Sequence, residues 1–211
     1  MKSVAFVGPT AFGLSGTVFP ADVEVRGPVR RGDVAALLGT EPGVLIVVDG
    51  TFHSFPAVGH VELRTAIAEG WQVWGLSSMG AIRAAEMRHL GMRGFGAVYQ
   101  RYADDPDFAD DEVALLHAAE APHRPLSEPM IHIRSFVGAL RERGLVSPAA
   151  ADKVIEHLKN RWYAERTHQA LRAALQDLAD LPPAALPPFD DHRLKSKDLV
   201  RFTTEQPWRL G

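Results

Sequence analysis

Two adjacent serines followed by methionine and glycine, at positions 77–80, form the segment of this sequence best suited to chemistry. An apolar run precedes Ser77 and a segment with helical spacing follows Gly80, so the pattern predicts a tight turn between a strand and a helix. Such a turn places hydroxyls and backbone N–H groups at the positive end of a helix, where they can hold an anion or activate a serine nucleophile. Ser77 and Ser78 could equally be simple helix caps, and the pattern alone leaves both interpretations open.

Two other polar turns also follow apolar runs. Gly8-Pro9-Thr10 ends the first apolar run of the chain, and Asp49-Gly50 ends the second. In an open parallel sheet, ligands bind outside the carboxyl ends of the strands, so we expect both turns to lie beside the serine turn in one cleft. Asp49 could act there as a base that activates water, or it could simply favour the turn before Gly50.

Four titratable side chains lie in the helices predicted to follow these turns. Arg83 could bind an anion near the serine turn, or it could form a surface ion pair with Glu86, three residues further along the helix. His60 and Glu62 are two positions apart, so their side chains project about 200° apart around a helix axis. Only one of these two can therefore face the cleft, and His60 is the candidate base.

The apolar runs that precede the turns are typical of buried parallel strands. They are short and continuous, and segments with helical character separate them, which predicts an α/β domain with a Rossmann-like or flavodoxin-like parallel sheet. The predicted strands cover residues 3–8, 44–48 and 71–76, and the predicted helices among them cover residues 32–38, 55–69 and 81–90. Ser54 and Pro56 are a start signal for the second of these helices, and Gly91 is a stop signal for the third.

After residue 96 the sequence shows helical periodicity without further strong strand signals. Helices are predicted over residues 110–119, 129–143 and 148–179. Ser127-Glu128-Pro129 and Ser147-Pro148 are start signals, and Gly144 is a C-cap signal.

The C-terminal region combines a proline-rich tract with a polar tail. The tract at residues 181–188 predicts an extended linker, and the tail beyond it carries isolated Phe202 and Trp208. The tail either packs back on the domain or binds a partner. We therefore predict a parallel-sheet core (residues 1–104), a helical part packed on it (105–180), and a linker with a C-terminal tail (181–211).

The composition excludes several classes of protein. The 211 residues include no cysteine, which removes disulfides, thiolate catalysis and cysteine-ligated metal sites. A formal net charge of -3 without a basic cluster argues against nucleic-acid binding, and no apolar run is long enough to cross a membrane. Dinucleotide and P-loop motifs are missing and no signal-peptide pattern is found, so we expect a cytoplasmic protein without a bound cofactor.

Acidic and histidine residues of the helical part do not predict a metal centre. The acidic run at residues 110–112 is typical of a first helical turn, where carboxylates favour the helix dipole. A magnesium site there would need further ligands that the spacing does not supply. His117, His123 and His132 match no metal-binding spacing with the carboxylates, so we predict no metal site.

Taken together, these motifs resemble the TfuA-like family. The most specific matches are SMGAIRAAE at residues 78–86 and DDEV at residues 110–113, in this order. The other matching segments are VGPT (7–10), RGDV (31–34), VDGTF (48–52), PAVGHVEL (56–63), GLS (75–77), GMRGFG (91–96) and LSEP (126–129). Residues 3–170 carry the resemblance. The family usually has Trp-His-Lys-Glu where this chain has Gly59-His60-Val61-Glu62, so the lysine is replaced here.

The resemblance implies a role in the biosynthesis of ribosomally made, modified peptides. In that setting a YcaO-type cyclodehydratase or thioamide synthetase converts a backbone amide to a thioamide. The resemblance implies that the chain binds a ThiS-like sulfur carrier protein and hydrolyses its C-terminal thiocarboxylate, which releases sulfide for YcaO. Two alternatives stay open: a non-catalytic adaptor that docks the carrier and YcaO together, and a phosphate- or nucleotide-binding enzyme supported only by the strand–turn–helix.

The candidate catalytic residues suit a thiocarboxylate, which has a carbonyl carbon and a good leaving group. Ser78, ahead of Ser77, is the candidate nucleophile. Water activated by His60 or Asp49 is the alternative. Arg83 would neutralise the negative charge that the reaction develops.

The candidate substrate-binding residues come from several turns and one later helix. Backbone N–H groups of Met79 and Gly80 would stabilise the oxyanion, beside the turn at Gly8-Pro9-Thr10. His132 and Arg134 project in different directions from their helix, so we expect one of them to face the sheet domain. These two residues would line a channel for the flexible tail of the carrier.

Overall fold

A computed structural model describes residues 2–16, 18–52 and 55–210 of the chain. The predicted helix-start signal at Ser54 lies outside these residues. None of the helices in the described part is long and apolar enough to cross a membrane.

The chain forms two compact units. The sheet unit contains the chain up to Phe108, the short segment Glu120–His123 and the chain from Lys195 onward. The helical unit contains Ala109–Ala119 and Arg124–Leu194. The chain from Lys195 onward therefore belongs to the same unit as the N-terminal strands, although the proline-rich tract itself belongs to the helical unit.

Five parallel strands form a sheet in the described part of the sheet unit, in the order β2-β1-β3-β4-β5. The strands are β1 Ser3–Phe6, β2 Val23–Arg26, β3 Val44–Val47, β4 Gln72–Leu76 and β5 Arg93–Phe95. In the register of the sheet, Ser3 lies opposite Val23 on one side and Val44 on the other. This strand order is that of flavodoxin-like folds, so the predicted α/β class is confirmed.

Seven α-helices are found in the described residues. They are α1 His60–Ala68, α2 Met79–Met87, α3 Gly96–Asp104, α4 Met130–Glu142, α5 Pro148–Lys159, α6 His168–Ala179 and α7 Leu194–Glu205. Helices α1 to α3 belong to the sheet unit, and α4 to α6 belong to the helical unit.

The sequence pattern did not predict β2 and β5. β2 is an edge strand with the sequence Val-Glu-Val-Arg, and only Val23 is buried, so it lacks a continuous apolar run. β5 has three residues and its centre is Gly94, which lies directly under the Tyr99 ring. Neither strand is long or apolar enough to be distinguished from a loop by pattern.

The two faces of the sheet are covered by different parts of the sequence. Side chains alternate along a strand, and Val4 and Phe6 of β1 pack in one cluster with residues of α1 and α2. Ala5 of β1 packs on the other face in a cluster with Phe202 and Trp208, whose rings stack with centroids 4.7 Å apart. The tail therefore packs back on the sheet, which decides between the two alternatives left by the sequence.

The helical unit contains a core built by α4, α5 and α6. Ser147 starts α5 as predicted, because its hydroxyl accepts a hydrogen bond from the Ala150 N–H at 3.2 Å and Pro148 occupies the first turn. Gly144 follows α4 with a φ of 70°, the left-handed conformation of a C-cap glycine. Leu181, at the start of the predicted linker, is buried in this core, and Pro183–Ala185 forms a 3-10 helix.

The helix predicted over residues 148–179 is interrupted. The break lies between α5 and α6, where Arg166 is buried and points back at the end of α5. Its guanidinium donates hydrogen bonds to the carbonyl oxygens of Leu158 at 3.1 Å and Lys159 at 3.0 Å. A side chain therefore satisfies the last carbonyl groups of α5, and periodicity could not reveal this.

Two other predicted helices are wrong, because each segment forms only a single helical turn. The segment 32–38 contains only the 3-10 helix Ala35–Leu37, and 110–119 contains only Asp110–Glu112. In the first case the Glu62 carboxylate accepts hydrogen bonds from the backbone N–H groups of Gly32 and Ala35. In the second, the backbone pairs with a later segment instead, since the Leu116 N–H donates to the Ser127 hydroxyl at 2.8 Å and the Ala118 N–H to the Arg124 carbonyl at 2.9 Å.

Candidate functional site

The first two turns meet at the carboxyl ends of β1 and β3. The Asp49 carboxylate accepts hydrogen bonds from the Gly8 N–H at 2.8 Å, the Thr10 N–H at 3.1 Å and the Thr10 hydroxyl at 2.7 Å. Pro9 begins the 3-10 helix Pro9–Ala11, and both Pro9 and Thr10 are buried. Asp49 is 1% exposed, and its three hydrogen bonds hold the neighbouring turn in place.

The serine turn lies against the same edge of the sheet. The Gly80 N–H donates a hydrogen bond to the Val48 carbonyl at 3.2 Å, and Gly50 lies directly against the Met79 side chain. The three turns therefore gather at one edge, as the sequence predicted. Because the Gly80 N–H is used within the fold, it is a poor oxyanion donor, whereas the Met79 N–H has no hydrogen-bond acceptor among the described residues.

Ser77 occupies a strained backbone conformation between β4 and α2. Its φ is 64°, and the Ser78 N–H donates a hydrogen bond to the Leu76 carbonyl at 2.7 Å, which closes a γ-turn around Ser77. A positive φ in a residue other than glycine costs free energy and is found often at functional sites. The fully buried Ser77 hydroxyl donates a hydrogen bond to the Lys195 carbonyl at 2.9 Å.

Ser78 precedes α2 but does not cap it through its side chain. Its backbone has a φ of -131° and a ψ of -124°, and its hydroxyl makes no capping hydrogen bond. The Ser77 hydroxyl is directed to Lys195 instead. The interpretation of both serines as simple helix caps is therefore wrong.

Arg83, Glu86 and His60 form a separate group on α1 and α2. The Arg83 guanidinium donates to Glu86 Oε2 at 2.6 Å, and His60 Nε2 lies 2.8 Å from the same oxygen. Of the two interpretations of Arg83, the ion pair with Glu86 is found in the structure, and anion binding stays a prediction. Among the described residues no hydrogen bond joins this group to Asp49 or to the serine turn.

Glu62 has a structural position. Its Oε2 accepts hydrogen bonds from the Gly32 N–H at 2.8 Å and the Ala35 N–H at 3.3 Å, and its Oε1 accepts one from the Gly59 N–H at 3.4 Å. It therefore ties the start of α1 to the turn at Gly32. The His60 side chain, by contrast, is half exposed and contacts Glu86.

The sequence prediction missed the start of α7, which contacts all of these strand ends. Lys195 is 1% exposed and its Nζ lies 3.8 Å from Asp49 Oδ1. The Ser196 hydroxyl donates to the Thr10 carbonyl at 2.7 Å, and the Asp198 carboxylate accepts the N–H groups of Ala97 and Val98 at 2.9 Å. These residues lie in a polar segment after the proline tract, where no pattern marks them.

His132 and Arg134 belong to two different ion clusters inside the helical unit. Buried His132 lies 3.1 Å from Glu128, which also contacts His168 and Arg193. Burial by itself would raise the pKa of Glu128, but hydrogen bonds from His132 and His168 and the charge of Arg193 lower it to about 2. The role of His132 in binding substrate stays a prediction.

The second ion cluster contains the acidic run of the sequence. Arg134 donates two hydrogen bonds of 2.9 Å to Glu112, and Lys159 lies 3.0 Å from the same carboxylate. Arg166 donates to Asp111 at 2.6 Å and is buried, so it cannot steer a substrate at the surface. Within the described part of the chain, no group of three or more histidine or acidic side chains is placed to hold a metal ion.

The fold and the arrangement of the strand ends define an α/β protein of flavodoxin-like strand order, with its polar groups gathered at the carboxyl edge of a parallel sheet. The family model described as TfuA-like protein matches residues 49–167, which is more than half of the chain. The chain belongs to the TfuA-like family. No curated protein matches the sequence. The matched region contains Asp49, His60 and the serine turn, and it ends before α7.

Proposed function

We propose that this protein hydrolyses the C-terminal thiocarboxylate of a ThiS-like sulfur carrier protein and so supplies sulfide to a YcaO enzyme. Membership of the TfuA-like family supports a role in YcaO-linked peptide thioamidation. The observation that carries the catalytic part is the strained turn at Ser77, whose φ is 64° and which directly precedes Ser78 and the start of α2. A strand–turn–helix with this strain is a common setting for a nucleophilic serine.

The proposed reaction uses Ser78 as the nucleophile. Its Oγ attacks the thiocarboxylate carbon and its proton passes to a base, which returns that proton to the sulfur as the C–S bond breaks. Hydrosulfide leaves, and an ester of the carrier remains on Ser78. Water then hydrolyses the ester and releases the carrier with an ordinary carboxylate. In this reaction the Met79 N–H and the positive end of α2 would stabilise the oxyanion.

Direct attack by water is the alternative route to the same products. His60 is the candidate base, since the Glu86 carboxylate 2.8 Å from its Nε2 can orient the imidazole. Asp49 is the other candidate, although its oxygens already accept three hydrogen bonds. Substrate-binding roles for the turn at Gly8-Pro9-Thr10 and for Arg83 and Arg134 remain part of the proposal.

Incubation of the purified protein with a thiocarboxylated ThiS-like carrier tests the proposal directly. We expect the carrier mass to change from that of the thiocarboxylate to that of the carboxylate, with an equal amount of sulfide released. The matched control is a carrier that already ends in a carboxylate. If the carrier loses its thiocarboxylate no faster with the protein than without it over many hours, the hydrolase is contradicted.

A non-catalytic adaptor is the second candidate function. The burial of Asp49, Ser77 and Ser78 favours it, because all three side chains are almost fully covered in the sheet unit. An adaptor would bind the carrier and YcaO without changing the carrier mass. Binding of the thiocarboxylated carrier without turnover in the same assay would select this function.

A further inference from the structure

Lys195 is a buried cation at the candidate site that the proposed reaction has not yet used. Its Nζ lies 3.8 Å from Asp49 Oδ1, which is longer than a direct hydrogen bond. Asp49 already accepts three hydrogen bonds, from Gly8 and from Thr10. The carboxylate therefore does not require the ammonium group to satisfy its oxygens.

Fold stability gives little reason for a lysine in this position. Burial removes water from both ions of a pair, and replacement of such a pair by uncharged residues of similar volume is often neutral or stabilising. A buried ammonium group is, however, well suited to hold an anion, because the low dielectric of the interior strengthens their attraction. Its location at the carboxyl ends of parallel strands is the usual place for a ligand.

The contacts of the neighbouring backbone bring Lys195 to the serine turn. The Lys195 carbonyl accepts the hydrogen bond from Ser77 Oγ at 2.9 Å, and the Ser196 hydroxyl donates to the Thr10 carbonyl at 2.7 Å. Lys195 and Ser196 thus contact the ends of β1, β3 and β4 together. The Arg83 guanidinium belongs to a different group, since it is paired with Glu86 at 2.6 Å.

We propose that Lys195 binds the anionic C-terminus of the carrier protein, with Asp49 holding the ammonium group in place until the carrier arrives. The identity of this anion rests on the proposed function. The thiocarboxylate and the product carboxylate carry the same charge, so Lys195 recognises both. The residue lies outside the region matched by the family model, and this role is assigned from the structure alone.

A binding experiment that needs no turnover tests this role. A ThiS-like carrier is prepared in two forms, one with a C-terminal carboxylate and one with an uncharged C-terminal amide, and the Kd of each is measured. We expect the full-length protein to bind the carboxylate form about tenfold more tightly, since a charged hydrogen bond contributes on this order. The variant Lys195→Met should bind both forms with nearly equal Kd.

The double variant Lys195→Met/Asp49→Asn separates charge recognition from folding. The single lysine change leaves Asp49 as a buried, unpaired charge, whereas the double variant removes both charges and should melt at a higher temperature than the single variant. We expect its Kd ratio to remain near one. A wild-type-like ratio in a folded double variant, or no preference in the wild type, would overturn the assignment.

The outcomes for the two proposals are distinguishable. A wild-type protein that prefers the carboxylate form but leaves the thiocarboxylate intact would contradict the hydrolase and keep the role of Lys195. A wild-type protein that hydrolyses the carrier but binds its carboxylate and amide forms with equal Kd would keep the hydrolase and reject the role of Lys195.

Discussion

Ser77 and Ser78 are adjacent in sequence but lie in different environments. Ser77 has a φ of 64° and its hydroxyl donates to a backbone carbonyl, whereas Ser78 has a negative φ and makes no capping hydrogen bond. The first serine therefore stabilises the turn, and the second is the nucleophile of the proposed reaction. Residue types and spacing indicated a turn suited to chemistry. The different environments of the two serines depend on the hydrogen bond from Ser77 to the Lys195 carbonyl, which is far away in sequence.

The variant Ser78→Ala is expected to slow sulfide release by roughly a thousandfold or more, because it removes the proposed nucleophile and leaves only the oxyanion contacts and substrate binding. Its melting temperature should be close to that of the wild type. The matched control Ser77→Ala removes the hydrogen bond to the Lys195 carbonyl and should cost about 1–3 kcal/mol of folding free energy. Carrier turnover and thermal melting are measured on both, and a wild-type rate in Ser78→Ala would favour attack by water.

At the scale of elements, β4, the serine turn and α2 form the unit that positions the site. The sequence predicted all three, because an apolar strand and a helical period lie on either side of a serine–glycine turn. Gly80 is required by the tertiary structure, since a Cβ there would overlap the Val47 carbonyl of β3. The close approach of α2 to β3 is thus set by one missing side chain.

The variant Gly80→Ala is expected to lower the free energy of unfolding by about 1–3 kcal/mol, because backbone has to move to admit the methyl group. Gly138→Ala in α4 is the matched control. A Cβ at Gly138 meets no atom within 4 Å, so the gain in helix propensity should leave the protein as stable or about 0.5–1 kcal/mol more stable. Urea unfolding of both variants measures the difference, and equal stability would contradict the close approach.

On the scale of the whole molecule, buried charges are distributed differently in the two units. The helical unit holds Glu128 as an ion among His132, His168 and Arg193, and its pKa is lowered to about 2. In the sheet unit, burial raises the pKa of Asp198 despite its hydrogen bonds to the start of α3. Protonation in acid therefore destabilises the fold at Glu128 and stabilises it at Asp198.

The pKa of Glu128 predicts a loss of stability in acid. Because the folded-state pKa of about 2 lies below the ordinary value of 4.5, this group stabilises the fold above pH 4.5 and loses its contribution as the pH falls to about 2. The loss is on the order of 3 kcal/mol. For Asp198 the raised folded-state pKa means that protonation at low pH favours the folded state, so its contribution rises as the pH falls.

Unfolding by urea at pH 7, 4.5 and 3 measures this dependence, with Glu128→Gln as the matched variant. The stability difference between wild type and variant should be largest at pH 7 and should shrink below pH 4.5. Trp162 reports on the helical unit and Trp74 on the sheet unit, so fluorescence of single-tryptophan variants assigns the loss. A difference that stays constant from pH 7 to 3 would contradict the ionised state of Glu128.

The sequence by itself determined the parallel α/β class, the three polar turns at the strand ends and the TfuA-like family. These features are local, since each depends on apolar runs, turn residues or a motif within about ten neighbouring positions. The start of α5 at Ser147 and the end of α4 at Gly144 were also predictable, because caps depend on adjacent residues.

Only the tertiary structure decided which of these residues meet. Lys195 reaches Asp49, Phe202 and Trp208 cover the second face of the sheet, and Arg166 ends α5. Each of these contacts joins side chains to positions that the local pattern does not specify, and the burial of a charge or a ring depends on what packs around it. Periodicity describes one element at a time. The position of Lys195 at the candidate site follows only from the packing of α7 against the ends of the N-terminal strands.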